Sequence, residues 1–196
     1  MNRYRKLLIS IFLLIFSIQL KAQSPAEQAL TNTVGQITKS FPVPPSSKKL
    51  LFYLQRNKNT NTIIYEANYL SSGKLDPKNP VSVYWLRYTE GGEKKELNWI
   101  QRWLAFGVES EPAKDGSGNF ILSFVALKNR KVILTLDPEG KAYAYLPLNG
   151  KPSRLTRIYA QAQETNWLPS IKFVQVMGED LKTKEQVIEY IFPKQQ

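Results

Sequence analysis

The sequence predicts an all-β fold, a mostly antiparallel sandwich or partly closed barrel with one short α-helix around Leu97–Phe106. From Leu50 onward, short apolar or alternating runs are separated by turn residues, and alternation with a period of two is typical of half-buried strands. We count about nine such runs. Closely spaced strands with little helix are typical of sandwiches and barrels.

The predicted strands follow one another along the chain. The first two, LLFYLQR and TIIYEANYL, flank the polar stretch NKNTN, which predicts a hairpin or a loop between paired strands. Next come PVSVYWLRYT, NFILSFVAL and KVILTLD, and then DPEG at Asp137–Gly140, which suits a type I turn before KAYAYLPL. The runs RLTRIYAQAQ, IKFVQVMGED and EQVIEYIF complete the set.

Alternation assigns faces within two of these strands. In PVSVYWLRYT it places Trp85 and Arg87 on the same face as the preceding valines. In KAYAYLPL it places Tyr143 and Tyr145 on one face and small or aliphatic residues on the other. The two tyrosines suit either an ordinary sheet face or an exposed platform at a binding surface.

One segment, ELNWIQRWLAFG, carries apolar residues at helical spacing. We expect this short helix to close one end of the sheet, with Trp99 or Trp103 as the plug. Gly107 stands where a glycine often ends a helix, just after the last helical residue.

The N-terminus predicts a secretory signal peptide at residues 1–22. Its positive residues precede an apolar run, Leu7–Leu20, and Ala22 offers a cleavage site. An uncleaved anchor is the alternative, although the run is short for a membrane span. We therefore predict export to the periplasm or the extracellular space, a Pro-rich tether at residues 23–47 and a single β-rich domain at residues 48–193.

The composition excludes several kinds of chemistry. The chain has no Cys and no His, which excludes a disulfide, the usual zinc sites, a Ser-His-Asp triad and a Cys nucleophile. We expect no cofactor and no metal. The net charge of +11 favours solubility or peripheral contact with an anionic envelope surface, whereas the scattered lysines and predicted export argue against nucleic acid.

Cationic and amide residues beside aromatic ones form the candidate ligand-binding site. A Gln-Arg dipeptide occurs twice, and a guanidinium suits carboxylate, sulfate or phosphate groups. If both dipeptides converge with Arg87, they form an anion-binding pocket. The alternative is a structural network in which the arginines pair with Glu66 or Glu90. In the corresponding alternative for Trp85, its side chain belongs to the core. The candidate residues are Gln55, Arg56, Trp85, Arg87, Gln101 and Arg102.

Two carboxylates lie within apolar strands, Glu66 and Glu189. Burial there would raise the pKa and suit a general acid, and glycoside hydrolysis needs only two carboxylates at a suitable separation. A solvent-facing position on a strand explains both residues more simply. We therefore assign no catalytic residue.

The segments FYLQRNKNTNTIIYEANYL, GKLDPKNPVSVYWLRYTEGG, IQRWLAFGV and IKFVQVMGEDLKTKEQVIEYIFP resemble a family of exported bacterial proteins described as a domain of unknown function, DUF4833. The resemblance covers about residues 48–193. It implies a single exported domain and supplies no activity, substrate, cofactor or catalytic residue.

These features favour a non-catalytic β domain over an enzyme. Its partner would be a small ligand, a glycan or an envelope protein. A carboxylate-dependent glycan hydrolase and an envelope-associated interaction protein are the two alternatives. A concave cluster of Arg and aromatic side chains would favour the binding domain, and an exposed apolar patch would favour the interaction protein.

Overall fold

The computed structural model describes residues 41–127, 130–163 and 170–192. The predicted signal peptide and the part of the predicted tether before residue 41 lie outside this range. Within the described ranges, no helix combines the length and the apolar character that a membrane span requires. The compact unit that contains the β-rich region runs from Phe41 to Gln196.

Eleven strands, one short helix and two 3-10 turns, Tyr88–Glu90 and Val125–Leu127, make up the described fold. The helix, α1, spans Trp99–Gln101 and continues as a π-helical turn at Arg102–Phe106. The strands are β1 (Leu50–Arg56), β2 (Asn59–Ala67), β3 (Val81–Arg87), β4 (Glu93–Glu96), β5 (Val108–Pro112), β6 (Phe120–Phe124), β7 (Lys131–Leu136), β8 (Ala142–Leu148), β9 (Lys151–Gln163), β10 (Ser170–Asp180) and β11 (Gln186–Ile191).

All eleven strands belong to one curled sheet that forms a half-barrel, which confirms the all-β prediction. The main strand order is β4-β3-β2-β1-β9-β8-β7-β6-β5, with β10 and β11 added beside β9. Only β1 and β9 pair in parallel among the described strands; the other pairs are antiparallel. Curling brings β3 towards β5, so one inner face encloses most of the core.

The inner face is apolar because alternate residues of each strand point into the half-barrel. On β8 the alternation is as predicted: Ala142 and Ala144 are fully buried, while Tyr143 and Tyr145 lie on the other face. The large core side chains include Phe52, Tyr65, Trp85, Phe106, Phe124, Leu122, Leu134, Leu146, Leu148 and Leu155.

Two strands, β4 and β5, are absent from the predicted set. Their sequences, EKKE and VESEP, are almost wholly exposed and lack apolar alternation. Both pair with a neighbour on one side only and end the main strand path. Charged residues and Pro at a sheet edge discourage pairing with other chains. These two strands are therefore identified by their place at the sheet edges, because they carry no hydrophobic pattern.

The turns have the backbone geometry that their residue types favour. In the predicted DPEG turn, the Gly140 N–H donates to the carbonyl of Asp137 at 2.9 Å, and Gly140 has a φ of +75°. The hairpin between β8 and β9 turns at Asn149-Gly150, with φ values of 47° and 78°. Left-handed backbone at both residues is what a type I′ hairpin requires.

The helix differs from its prediction in position and packing. The expectation that Trp99 or Trp103 plugs the sheet is wrong, because these side chains are 74% and 73% exposed. Leu97, before the helix, and Phe106, at the end of the π turn, are buried instead. The extra residue of a π turn rotates the following side chain, which brings Phe106 onto Trp85 at 5.3 Å between ring centroids.

One buried hydrogen bond ties the π turn to the sheet. The Tyr65 hydroxyl donates to the Phe106 carbonyl at 3.0 Å, and Tyr65 is completely enclosed and stacked on Phe52. We expect Tyr65→Phe to lower the free energy of unfolding by about 1–2 kcal/mol, because the buried carbonyl loses its donor. Chemical denaturation measures the change, and an unaltered midpoint would contradict this role for the hydroxyl.

Candidate ligand-binding cleft

A cleft of about 340 Å³ opens beside α1, where β1 and β3 end and β2 begins. At this end of the half-barrel the apolar inner face gives way to polar side chains. The lining contains three cations, four side-chain amides, one carboxylate and one indole: Arg56, Arg87, Lys95, Asn59, Asn61, Asn98, Gln101, Glu96 and Trp85. The volume lies at the small end of ligand pockets.

Strand register brings these residues together. Arg56, the last residue of β1, pairs with Asn59, the first residue of β2. On the next strand Trp85 lies opposite Lys95 of β4, and Arg87 lies two residues further along the same face. The cleft therefore depends on the pairing of four strands.

Arg56 forms the floor of the cleft together with Trp85. Its guanidinium carbon lies 5.1 Å from the Trp85 ring centroid and 5.6 Å from that of Phe106. Its Nε is buried and has no hydrogen-bond partner among the described residues. Burial lowers the pKa of the Arg56 guanidinium. Aromatic contact stabilises a cation, but it does not replace the lost hydrogen bonds with water.

The other charges of the cleft are mostly paired within the protein. Arg87 forms an ion pair with Glu90, which confirms one of the carboxylate partners expected from the sequence. Glu96 accepts from Arg102 at 2.9 Å. Lys95 is exposed on β4 and takes part in no ion pair among the described residues.

Helix α1 supplies the side of the cleft through a capping box. The Asn98 side chain accepts from the Gln101 N–H at 2.8 Å, and the Gln101 side chain accepts from the Asn98 N–H at 3.1 Å. The Gln101 oxygen also accepts from the Trp85 indole at 3.2 Å. These bonds fix Gln101 against the indole that forms the floor.

Of the six residues proposed from the sequence, four line this cleft: Arg56, Trp85, Arg87 and Gln101. Gln55 does not, because alternation along β1 turns it to the outer face, where it donates to the Pro42 carbonyl and to Thr62. Arg102 borders a separate groove and donates to Glu96. The two Gln-Arg dipeptides thus contribute one residue each.

The sequence reasoning missed five lining residues: Asn59, Asn61, Lys95, Glu96 and Asn98. Two of them lie in NKNTN, which was assigned to a connection although β2 begins at Asn59. Lys95 and Glu96 belong to the unpredicted strand β4, and Asn98 is the N-cap of α1. For Asn59 and Asn61, the signal in the sequence was the concentration of asparagines beside a predicted strand.

A second buried arginine lies away from this cleft. Arg157 of β9 is 8% exposed, and its guanidinium lies between Tyr53 and Tyr159, at 6.0 and 5.7 Å from their ring centroids. Burial lowers the pKa of Arg157 and raises that of Tyr159 to about 12. Arg157 does not line the cleft, so it serves as a matched comparison for Arg56.

A shallow groove lies on the other side of α1. Its volume is about 700 Å³, and it is bordered by Trp99, Trp103, Val108 and Phe124 with several charged residues. Ile100 is also partly exposed. Exposed tryptophans of this kind are common in surfaces that contact other proteins.

Glu189 is one of the two strand carboxylates considered as a general acid with a raised pKa, and its pKa is lowered instead. It accepts from Arg130 at 2.6 Å and from the Asn149 N–H at 2.8 Å. The Arg130 hydrogen bond in particular lowers the pKa of Glu189. A carboxylate held in its charged form by an arginine does not suit the role of general acid.

This pairing predicts pH-dependent stability. Because the folded pKa lies below the ordinary value of 4.5, the Glu189 contribution is present above that value and is lost as the pH falls through the folded pKa. We expect Glu189→Gln to cost about 1 kcal/mol at neutral pH and progressively less in acid. Thermal unfolding from neutral pH to about pH 3 tests this; a constant difference between the two proteins would contradict it.

Comparison with known proteins identifies a family. A family model described as a domain of unknown function, DUF4833, matches residues 52–190. No curated protein and no solved structure matches the chain. The matched region begins within β1 and ends within β11, so it includes every strand of the half-barrel and the cleft. The resemblance noted in the sequence is confirmed, and the chain belongs to the DUF4833 family.

Proposed function

We propose that this chain is a non-catalytic binding domain that takes up a small polar ligand in the cleft where β1 and β3 end and β2 begins. The observation that carries the proposal is Arg56. It is a partly buried cation that lines a cavity, lies on two aromatic rings and has no ion pair among the described residues.

A charge in this position costs free energy in the unliganded protein, because it has lost water without gaining a counter-ion. Such strained or unsatisfied groups concentrate at functional sites. A ligand that reaches the guanidinium would offset this cost. The Trp85 indole offers a flat apolar surface at the same place, and the amides of α1 and β2 offer hydrogen bonds.

The lining supports binding more strongly than hydrolysis. Among the described residues that border the cleft, Glu96 is the single carboxylate, and it already accepts from Arg102. The hydrolase alternative requires a second carboxylate facing the first across the substrate. Glu189, one of the two carboxylates within apolar strands, is held by Arg130 instead.

We also propose that the protein is exported, on the strength of the leader pattern at residues 1–22. Native mass spectrometry of the protein purified from its own host tests both proposals together. The intact mass should correspond to a chain that begins at Gln23. An additional mass that survives gentle purification should be present in the unaltered protein and in Arg157→Met, and should be missing in Arg56→Met.

A protein without additional mass, in which the small-molecule fraction of the host also leaves the Trp85 indole resonance unchanged, would contradict the binding proposal. A chain that retains residues 1–22 would contradict cleavage of the leader. The two results are independent of each other.

An interaction protein of the cell envelope is the second candidate, favoured by the exposed side chains of Trp99 and Trp103. Tryptophan is enriched among residues that dominate protein–protein affinity. In that case Trp99→Ala and Trp103→Ala would abolish capture of an envelope protein without affecting the cleft. The leading proposal predicts that both variants keep the retained ligand.

A further inference from the structure

The four side-chain amides of the cleft share one arrangement: each oxygen is already used within the protein. The Asn59 oxygen accepts from the Asn61 N–H at 3.1 Å. The Asn61 oxygen accepts from both the N–H and the hydroxyl of Thr89, at 3.1 and 3.0 Å. The same holds on the helix side, where Asn98 and Gln101 accept from each other's backbone N–H groups.

These bonds fix the orientation of every amide. A backbone N–H and an indole N–H donate and never accept, so the atom that faces each of them has to be the amide oxygen. The amide nitrogens are then the remaining polar atoms of these side chains. None of the four donates a hydrogen bond to a described residue.

The cleft is therefore richer in donors than in acceptors. Four amide NH2 groups join Arg56, Arg87 and Lys95, whose side chains have no acceptor. Glu96 is the exception, and its acceptor capacity is partly taken by Arg102. Such a lining matches a ligand that is covered with acceptor oxygens.

The charged side chains of the cleft indicate the net charge of the ligand. Arg87 is balanced by Glu90, and Glu96 is balanced by Arg102. Arg56 and Lys95 remain without an ion pair among the described residues, which leaves two positive charges at the cleft. Two negative charges on the ligand would neutralise them.

We propose that the ligand is a compact dianion rich in acceptor oxygens, such as a phosphate monoester or a small dicarboxylate. This inference rests on the binding function proposed above. Such groups accept several hydrogen bonds per oxyanion and form strong charge-assisted bonds with guanidinium groups. The Trp85 ring contacts the remainder of the molecule.

A neutral sugar fits this lining less well. Every hydroxyl of a sugar donates as well as accepts, and its donors would meet amide nitrogens and cations. A donor that loses its water on binding without gaining an acceptor weakens binding. The same argument excludes a cationic ligand more strongly, because two positive charges already occupy the cleft.

NMR titration with three named probes tests the proposal: inorganic phosphate, succinate and glucose. The Trp85 indole signal is the readout, since this N–H lies at the cleft and donates to Gln101. We expect a saturable shift with phosphate or succinate at constant ionic strength and no shift with glucose. The dianion that binds more tightly indicates whether the ligand resembles a phosphate monoester or a small dicarboxylate.

Asn98→Asp is the sharpest variant for this test. Aspartate keeps the oxygen that caps α1, and it is as good an N-cap residue as asparagine, so the fold is retained. It replaces the amide donor by a negative oxygen. We expect the affinity for the dianion to fall at least about tenfold, which is about 1.4 kcal/mol. Asn119→Asp adds the same charge outside the cleft and should leave the affinity nearly unchanged.

The outcomes separate this inference from the proposed function. A shift with glucose but with neither dianion would overturn the inference and leave a binding cleft. Equal weakening by Asn98→Asp and Asn119→Asp would also overturn it, because the effect would then come from net charge alone. If the small-molecule fraction of the host also left the Trp85 signal unmoved, the binding function itself would fail.

Discussion

Gly107→Ala is expected to lower the free energy of unfolding by about 2–4 kcal/mol. The Gly107 N–H donates to the Arg102 carbonyl at 2.8 Å and closes the π turn. A Cβ at this position would lie 2.2 Å from the same carbonyl oxygen. This oxygen belongs to the backbone and cannot rotate away as a side chain would, so the turn has to open. Since the turn holds Phe106 against Trp85, the cleft would be disturbed as well.

Chemical denaturation of Gly107→Ala measures this effect, with Gly73→Ala as the control. Gly73 has a φ of +81° but open space around its missing Cβ, so its substitution should cost only about 1 kcal/mol through backbone strain. Gly107 has a φ of −64°, which alanine adopts readily, so any cost there is steric. Equal costs at the two positions would contradict the close-contact explanation.

Arg56→Met is expected to weaken ligand binding by at least about 100-fold, which is about 2.7 kcal/mol. The variant removes the one guanidinium that lines the cleft without an ion pair among the described residues. Methionine keeps a flexible apolar side chain against Trp85 and Phe106. The free energy of unfolding should therefore stay the same or rise, since an uncompensated charge is removed.

Isothermal titration with the ligand released from the native protein measures the affinity, and thermal unfolding measures the stability. Arg157→Met is the matched control, because it removes another buried guanidinium that stacks on aromatic rings but lies outside the cleft. Its affinity should equal that of the unaltered protein. A clear loss of stability in Arg56→Met would show that Arg56 is a structural residue.

The strands that face the core were predictable from the sequence because burial imposes alternation. On β3, Val81, Val83 and Trp85 are all buried on the inner face, as the period of two requires. The edge strands β4 and β5 were not predictable in this way. They bury almost nothing, so no apolar pattern marks them.

The helix shows a second reason why the sequence predicts the structure only in part. Its residues have helical periodicity, but the π turn after Gln101 changes which side chains face inward. The pattern predicted Trp99 or Trp103 as the buried plug, whereas Leu97 and Phe106 fill that role. A π turn depends on the close approach of Gly107 to Arg102, a tertiary detail that periodicity does not contain.

The candidate site was partly predictable because residue type indicates chemistry but not location. Arg56, Trp85, Arg87 and Gln101 come together through strand register and helix capping. Gln55 is excluded by alternation, which the sequence could have indicated, since its neighbour Arg56 has to face the other way. The orientation of the four amides required knowledge of their partners.

The most direct test of the cleft is an NMR comparison of the tryptophan indole signals before and after addition of the small-molecule fraction of the host. The Trp85 indole is bonded to Gln101 at the cleft, while Trp99 and Trp103 are exposed on the other side of α1. We predict that the Trp85 signal shifts and that the signals of Trp99 and Trp103 do not. A shift confined to Trp99 and Trp103, or no shift at all, would contradict a ligand site built around Arg56.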